Sequence, residues 1–226
     1  MEYLQNGFTL NIPKGCFPLS TDSILLADFV SLPKHAQVLD LGSGCGTLGM
    51  LLCAKNENCT VRGIELDENA HAAAEDNIRR NALAGRLSSI CGDLRQFHDG
   101  NYHCCVSNPP YFTGGPVSQK TPIARREDHC TLSQLIHSAA GNLRYGGDLY
   151  IVHKPERLAQ IIACGASVQL EAKQLRFVHH RQDGPINLIL VQLRKGGKPG
   201  LHIDEVYLYD RNGAPSDYYK KLYHLE

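Results

Sequence analysis

Apolar and polar positions along the chain switch repeatedly between a period of two and a helical period. Residues 7–12 (GFTLNI) read as a short strand, and 21–31 (TDSILLADFVS) as a helix that Ser20, Thr21 or Asp22 can cap. AQVLDLG (36–42) is a buried strand running into glycine, TLGMLLCAK (47–55) a helix, and CTVRGIEL (59–66) a second strand. An Ala-rich amphipathic helix follows at 68–83, then strands LSSICGD (87–93) and YHCCVSN (102–108), and a long loop from 108 to about 130. Helix 131–143 and strand 146–154 come next, and Pro155 marks the start of a helix over 155–164. AKQLRFVHH (172–180) and INLILVQLRK (186–195) form a final antiparallel pair, and the polar, Tyr-rich stretch 199–226 is expected to pack as an arm.

Strands alternating with helices imply parallel βαβ units and an α/β fold, a doubly wound, Rossmann-like sheet. No repeat, Gly/Ser linker or Pro-rich linker divides the chain. One domain over 1–226 is therefore expected: a strand–helix extension over 1–35, a core over 36–198 and a C-terminal arm over 199–226.

Composition narrows the classes. The 23 basic side chains match the 23 acidic ones, so nucleic-acid binding has to come from local patches, not overall attraction. No apolar run is long enough to span a bilayer, MEYLQNGFTL lacks a signal-peptide pattern, and a cytoplasmic protein is expected. The nine cysteines include no C-x-x-C pair and read as small buried hydrophobes in a reducing compartment. The eleven histidines show no H-x-x-x-H or H-E-x-x-H spacing, and no metal site is expected.

The chemistry gathers where strands end. In VLDLGSGCGTLG the first core strand ends at Asp40 and Leu41. The turn Gly42, Ser43, Gly44, Cys45 and Gly46 then opens a helix, a geometry that lets a ligand approach backbone N–H groups. Glu65 ends the second core strand, where a carboxylate can accept both hydroxyls of a ribose. Asp93 ends the third, placed to meet an adenine edge. The spacing G-x-G-x-G, not G-x-G-x-x-G, with three successive acids, favours adenosine without a pyrophosphate: S-adenosylmethionine over a dinucleotide. The fourth strand ends in Asn108, Pro109, Pro110 and Tyr111. A planar amino group is a poor nucleophile because its lone pair is delocalised. The Asn108 side-chain oxygen and the Pro109 carbonyl can accept its hydrogens and localise that pair. The prolines stiffen the loop, and Tyr111 can stack on a base.

Glycine turn, Glu65, Asp93 and NPPY in this order resemble a class I S-adenosylmethionine-dependent methyltransferase acting on nitrogen. PLSTDSILLADF, NPPYF, IARRE (123–127), GGDLYIVHKPERL and VYLYDRNG extend the resemblance over nearly the whole chain, to the bacterial tRNA(Val) adenine-N6 methyltransferase family. That resemblance implies a seven-stranded, mostly parallel sheet with its last strand antiparallel. It also implies contact of Thr21 and Asp22 with the cofactor, a role for Asn108 on both cofactor and substrate, and a tRNA partner beside the anticodon. Lys120, Arg125 and Arg126, following NPPY, are the candidate phosphate contacts. The chain departs from its relatives at Arg126, where they often carry His, and at PVSQKT (116–121). Arg176, His179, His180 and Arg181 read as a solvated strand end.

Other readings share parts of this pattern. A release-factor glutamine-N5 methyltransferase also uses NPPY but places a helical domain before its core, where only about 37 residues stand here. A ribosomal-RNA guanine-N2 methyltransferase fits the fold, although Phe more often follows its two prolines. A non-catalytic, cofactor-binding RNA-assembly protein would not need Asp40, Glu65, Asp93 and Asn108 together.

Overall fold

Strand β3 (Gln37–Leu41) is buried at four of its five positions and lies between two parallel neighbours. These are β4 (Thr60–Glu65) and β6 (Tyr102–Ser107). The structure is a computed structural model that describes residues 2–4, 7–110 and 130–225. Tyr111, Lys120, Arg125 and Arg126 lie outside the described residues.

From β3 the sheet grows both ways. β5 (Leu87–Cys91) flanks β4. On the other side β6 is followed by β7 (Leu143–His153), β9 (Ile186–Lys195), β8 (Leu170–Arg181) and β10 (His202–Tyr209). β9 is antiparallel to both β7 and β8, and the other pairings in this sheet are parallel. The antiparallel pair read from the sequence is therefore present, and the seven expected strands become eight. The polar stretch expected as an arm supplies β10, which pairs in parallel with β8 at the sheet edge.

Alternation along the strands explains why helices cover both faces. Val38, Val106, Tyr150 and Val152 face a cluster built with α1 (Thr21–Phe29), α2 (Thr47–Lys55) and Leu222 of a C-terminal helix. Their neighbours Leu39, Cys105, Leu149 and Ile151 face a cluster built with the helices over 132–142 and 158–167. Pro155 stands in a short 3-10 turn (Pro155–Arg157) that leads into the second of these helices, so the helix proper starts later than the proline suggests. In order, the helices after α2 are α3 (Glu68–Arg80), α4 (Leu132–Asn142), α5 (Leu158–Ser167) and α6 (Asp217–Tyr223). Asp67 caps α3 by accepting from the Asn69 and Ala70 N–H groups, and Thr131 with Gln134 forms a capping box on α4.

The strand expected over 7–12 shrinks to β2 (Thr9–Leu10), paired with β1 (Glu2–Tyr3) away from the main sheet. The reason is that α3 satisfies this backbone with side chains. Asn81 Oδ1 accepts from Thr9 N and Asn81 Nδ2 donates to Thr9 O, both at 2.8 Å. One helical turn earlier, Asn77 Oδ1 accepts from Asn11 N and Nδ2 donates to Asn11 O, at 2.8 and 2.9 Å. The two amides, four residues apart on one helix face, imitate a strand edge. Asn77 is fully buried and its Nδ2 also donates to Cys45 O at 3.0 Å, so the same side chain ties the N-terminal segment to the glycine turn.

Asn77→Ala strips partners from the buried Cys45 carbonyl and from the half-buried carbonyl and N–H of Asn11. A loss of about 1–3 kcal/mol in urea unfolding is expected, with faster hydrogen exchange at the Asn11 amide while the Thr9 amide, held by Asn81, is spared.

Candidate active site

The sheet reverses its strand order between β3 and β6, and a cleft of about 920 Å³ opens there at the carboxyl ends of the strands. Asp40, the turn residues Gly42 to Cys45, Glu65, Asp93, Asn108, Pro109 and Pro110 all line it. Four separate strand ends thus bring the sequence candidates together.

The turn requires glycine. Gly42, Gly44 and Gly46 have φ of +75°, +55° and +81°, in the left-handed region that side chains disfavour. The turn folds back onto β4: the Gly42 and Ser43 N–H groups both donate to Ile64 O at 3.0 Å. Its close approach also explains a glycine within β4, since a Cβ at Gly63 would fall 2.6 Å from Ser43 Oγ. Gly46, the N-cap of α2, does not line the cleft; it lies against Ala74 of α3.

The three acids are held in different ways. Asp40 is buried, and desolvation, with the Glu65 charge as a second cause, raises its pKa to about 7, while an N–H from Gly49 pulls the other way. Its Oδ2 and the Oγ of Ser43 are buried with no hydrogen-bond partner among the described residues, two polar atoms of cleft-lining residues suited to a polar ligand. Glu65 Oε2 accepts from Gly44 N and Oε1 from Asp67 N, both at 2.8 Å. A carboxylate has about four acceptor positions, so both oxygens keep room for ribose hydroxyls. Asp93 is gripped by Arg95, whose Nε reaches both its oxygens at 2.9 Å, and this partner holds the carboxyl below its usual range.

On the fourth strand end, Ser107 Oγ donates to Leu41 O at 2.7 Å, locking β6 to β3 just before NPPY. Asn108 Nδ2 donates to Ser23 Oγ at 3.0 Å. Ser23, one residue beyond the expected pair, is the α1 residue that lines the cleft. Thr21 and Asp22, expected from the resemblance to touch the cofactor, are not among the residues that line it. The Thr21 hydroxyl instead shares a hydrogen bond of 3.1 Å with Tyr223 of α6, because the helical turn rotates it about 200° away from Ser23.

Several lining residues carried no legible signal. Residues 13–17, Leu94 and Leu135 are part of the lining. Cys16 packs with Cys45, Ala70 and Ala73, and burial together with Cys16 pushes the Cys45 thiol up to about 12, so this cluster is neutral and apolar. Away from the cleft, Arg176 is not solvated: it pairs with Asp204 at 2.6 Å and its guanidinium lies 5.4 Å from the Phe29 ring centre. His180 and Arg181 are exposed, as the sequence suggests.

The chain matches the family described as methyltransferase small domain over residues 19–164. Among curated proteins, it is 27% identical over 213 residues to a tRNA1(Val) (adenine(37)-N6)-methyltransferase of Pedobacter heparinus, covering 92% of this chain and 90% of the relative. A protein of the same description from Bacteroides fragilis is 31% identical over 152 residues, covering 64% and 63%. Among solved structures, a predicted O-methyltransferase from Agrobacterium tumefaciens superposes with a TM-score of 0.76 at 21% identity, covering 90% of this chain and 96% of the other. A putative methyltransferase from Bacillus halodurans gives 0.58 at 14%, covering 79% and 100%. At these identities the structural matches speak for the fold alone.

Asp40 makes stability pH-dependent. Between about pH 4 and pH 7 the native state keeps a proton that the unfolded chain has released, so stability falls as pH rises through that window. Urea unfolding across pH 4.5–7.5 is expected to show a slope approaching about 1.4 kcal/mol per pH unit that Asp40→Asn removes.

Proposed function

The chain belongs to the methyltransferase small domain family, and from that premise we propose that it transfers a methyl group from S-adenosylmethionine to N6 of an adenine in tRNA. The observation that carries the reading is Asn108 followed by two prolines at the lip of a cleft whose other strand ends carry Asp40, Glu65 and Asp93. The relatives named for adenine-N6 methylation of tRNA favour it over glutamine-N5 or guanine-N2 transfer. An RNA substrate also supports a cytoplasmic setting.

The cleft suits the cofactor. Its volume is that of a small-molecule site, and its lining includes Asp40 and Ser43, whose buried Oδ2 and Oγ have no partner among the described residues. When bound, S-adenosylmethionine supplies an electrophilic methyl group on a sulfonium sulfur. Glu65 is the ribose acceptor in this reading, already oriented by two backbone N–H groups. Asp93 meets the adenine edge of the cofactor while Arg95 balances its charge. Gly42, Ser43, Gly44 and Cys45 let the backbone come close. Residues 13–17 line the site with them.

Asn108 and Pro109 do the chemistry by position. Oδ1 of Asn108 and the carbonyl of Pro109 accept from the two hydrogens of the target amino group, drawing the nitrogen lone pair out of conjugation and toward the methyl donor. Pro109 is buried and its φ is fixed, so its carbonyl is held with little left to order. Tyr111 stacks on the target base, and Lys120, Arg125 and Arg126 hold phosphates in this proposal.

The direct test gives the protein labelled S-adenosylmethionine with total RNA from a strain lacking it, followed by digestion to nucleosides. Label in N6-methyladenosine is expected; label in glutamine of a protein fraction, or in a guanosine, would replace the proposal. Glu65→Ala is expected to weaken cofactor binding by about 1.5–3 kcal/mol in calorimetry. Asn108→Ala is expected to leave cofactor affinity unchanged while single-turnover methyl transfer falls roughly a hundred- to a thousandfold, by analogy with loss of one oxyanion-hole group.

A further inference from the structure

Resting on that reading, we propose that Ser23 is the positioning residue for Asn108, setting which end of its side-chain amide meets the target amino group. An asparagine amide is nearly symmetric in shape, so packing alone does not choose between oxygen and nitrogen. The choice matters here. With Oδ1 toward the target the amide accepts a hydrogen from the amino group. Turned over, it presents two N–H groups to another donor and helps nothing.

Ser23 supplies the bias. It is 5% exposed, and its Oγ accepts from Asn108 Nδ2 at 3.0 Å across 85 residues of sequence. A hydroxyl can donate as well as accept, so its own proton must be directed elsewhere for the bias to hold. Ser20, the N-cap of α1, provides the place: its Oγ lies 3.4 Å from Ser23 Oγ and also accepts from the Ser23 N–H. The order Asn108 N–H to Ser23 O–H to Ser20 thus runs from the catalytic loop into the helix cap. α1 itself is anchored at both ends, by Thr21 with Tyr223 and by Asp28, which accepts from the Tyr218 hydroxyl at 3.0 Å. Asn108 is thereby referenced to a helix anchored at both ends.

The test is a double-mutant cycle read in single-turnover methyl transfer at saturating RNA and cofactor, with cofactor affinity measured alongside. Ser23→Ala is expected to slow transfer about three- to tenfold, the worth of one hydrogen bond, with the dissociation constant for S-adenosylmethionine within twofold of wild type. Ser23→Thr, which keeps the hydroxyl, is expected to recover most of the rate. In an Asn108→Ala background Ser23→Ala is expected to change nothing further. The proposal is overturned by an equal loss in both backgrounds, or by a loss of cofactor affinity that matches the loss of rate. A second readout needs no activity: the Asn108 side-chain NH₂ resonances should be protected from exchange in the wild type and lose that protection in Ser23→Ala. Unprotected resonances in the wild type defeat the Ser23 proposal, whereas a protected amide in an enzyme that leaves adenine unmethylated defeats only the substrate reading.

Discussion

One buried amide holds the cofactor side of this molecule together. Asn77 bonds both backbone groups of Asn11 and the carbonyl of Cys45, so a helix, an N-terminal segment and the glycine turn meet at a single side chain. Residues 13–17, which follow this anchor, and the turn both line the cleft. A buried amide with all its partners contributes directional order as much as energy, because any shift of one segment leaves a polar group unpaired in a dry interior.

The second constraint is electrostatic. A cleft that must bind the hydroxyls and amino group of a nucleoside needs acceptors, and three carboxylates on one rim repel one another. Each is relieved differently. Asp40 holds its proton up to about pH 7 through burial; Glu65 spreads its charge over two backbone N–H groups; Asp93 is matched by Arg95. The rim therefore presents acceptors without the full repulsion of three bare charges.

The end of β6 has supports of its own. Ser107 pins the end of β6 to Leu41, and α1 reaches Asn108 through Ser23. α6 and β10, from a stretch whose composition suggested only a polar arm, brace α1 through Tyr223 and Tyr218. Residues from both ends of the chain thus brace the helix that holds Asn108.

How much of this was legible in the sequence depends on how local each feature is. Strand ends and glycine turns obey backbone sterics that act within a few residues, so β3, α2, β4 and the convergence of Asp40, Glu65, Asp93 and Asn108 on one rim could be read from spacing. A parallel sheet puts every strand's carboxyl end on the same side, and that rule turns a linear order into a site. Side-chain partners across the fold obey no such rule. That Ser23 and not Thr21 or Asp22 faces the cleft depends on the rotation of α1 against β6, a matter of one helical position. Asn77 looked like any polar residue on an Ala-rich helix, and the segment it captures looked like a strand until α3 took over its hydrogen bonds. β10 reads as too polar for a core strand because one edge of it faces solvent. The alternation of apolar residues and the glycines determined the architecture and the rim. Only tertiary packing decided which hydroxyl, amide and tyrosine complete it, because those choices rest on contacts between residues tens to hundreds of positions apart, where local periodicity carries no information.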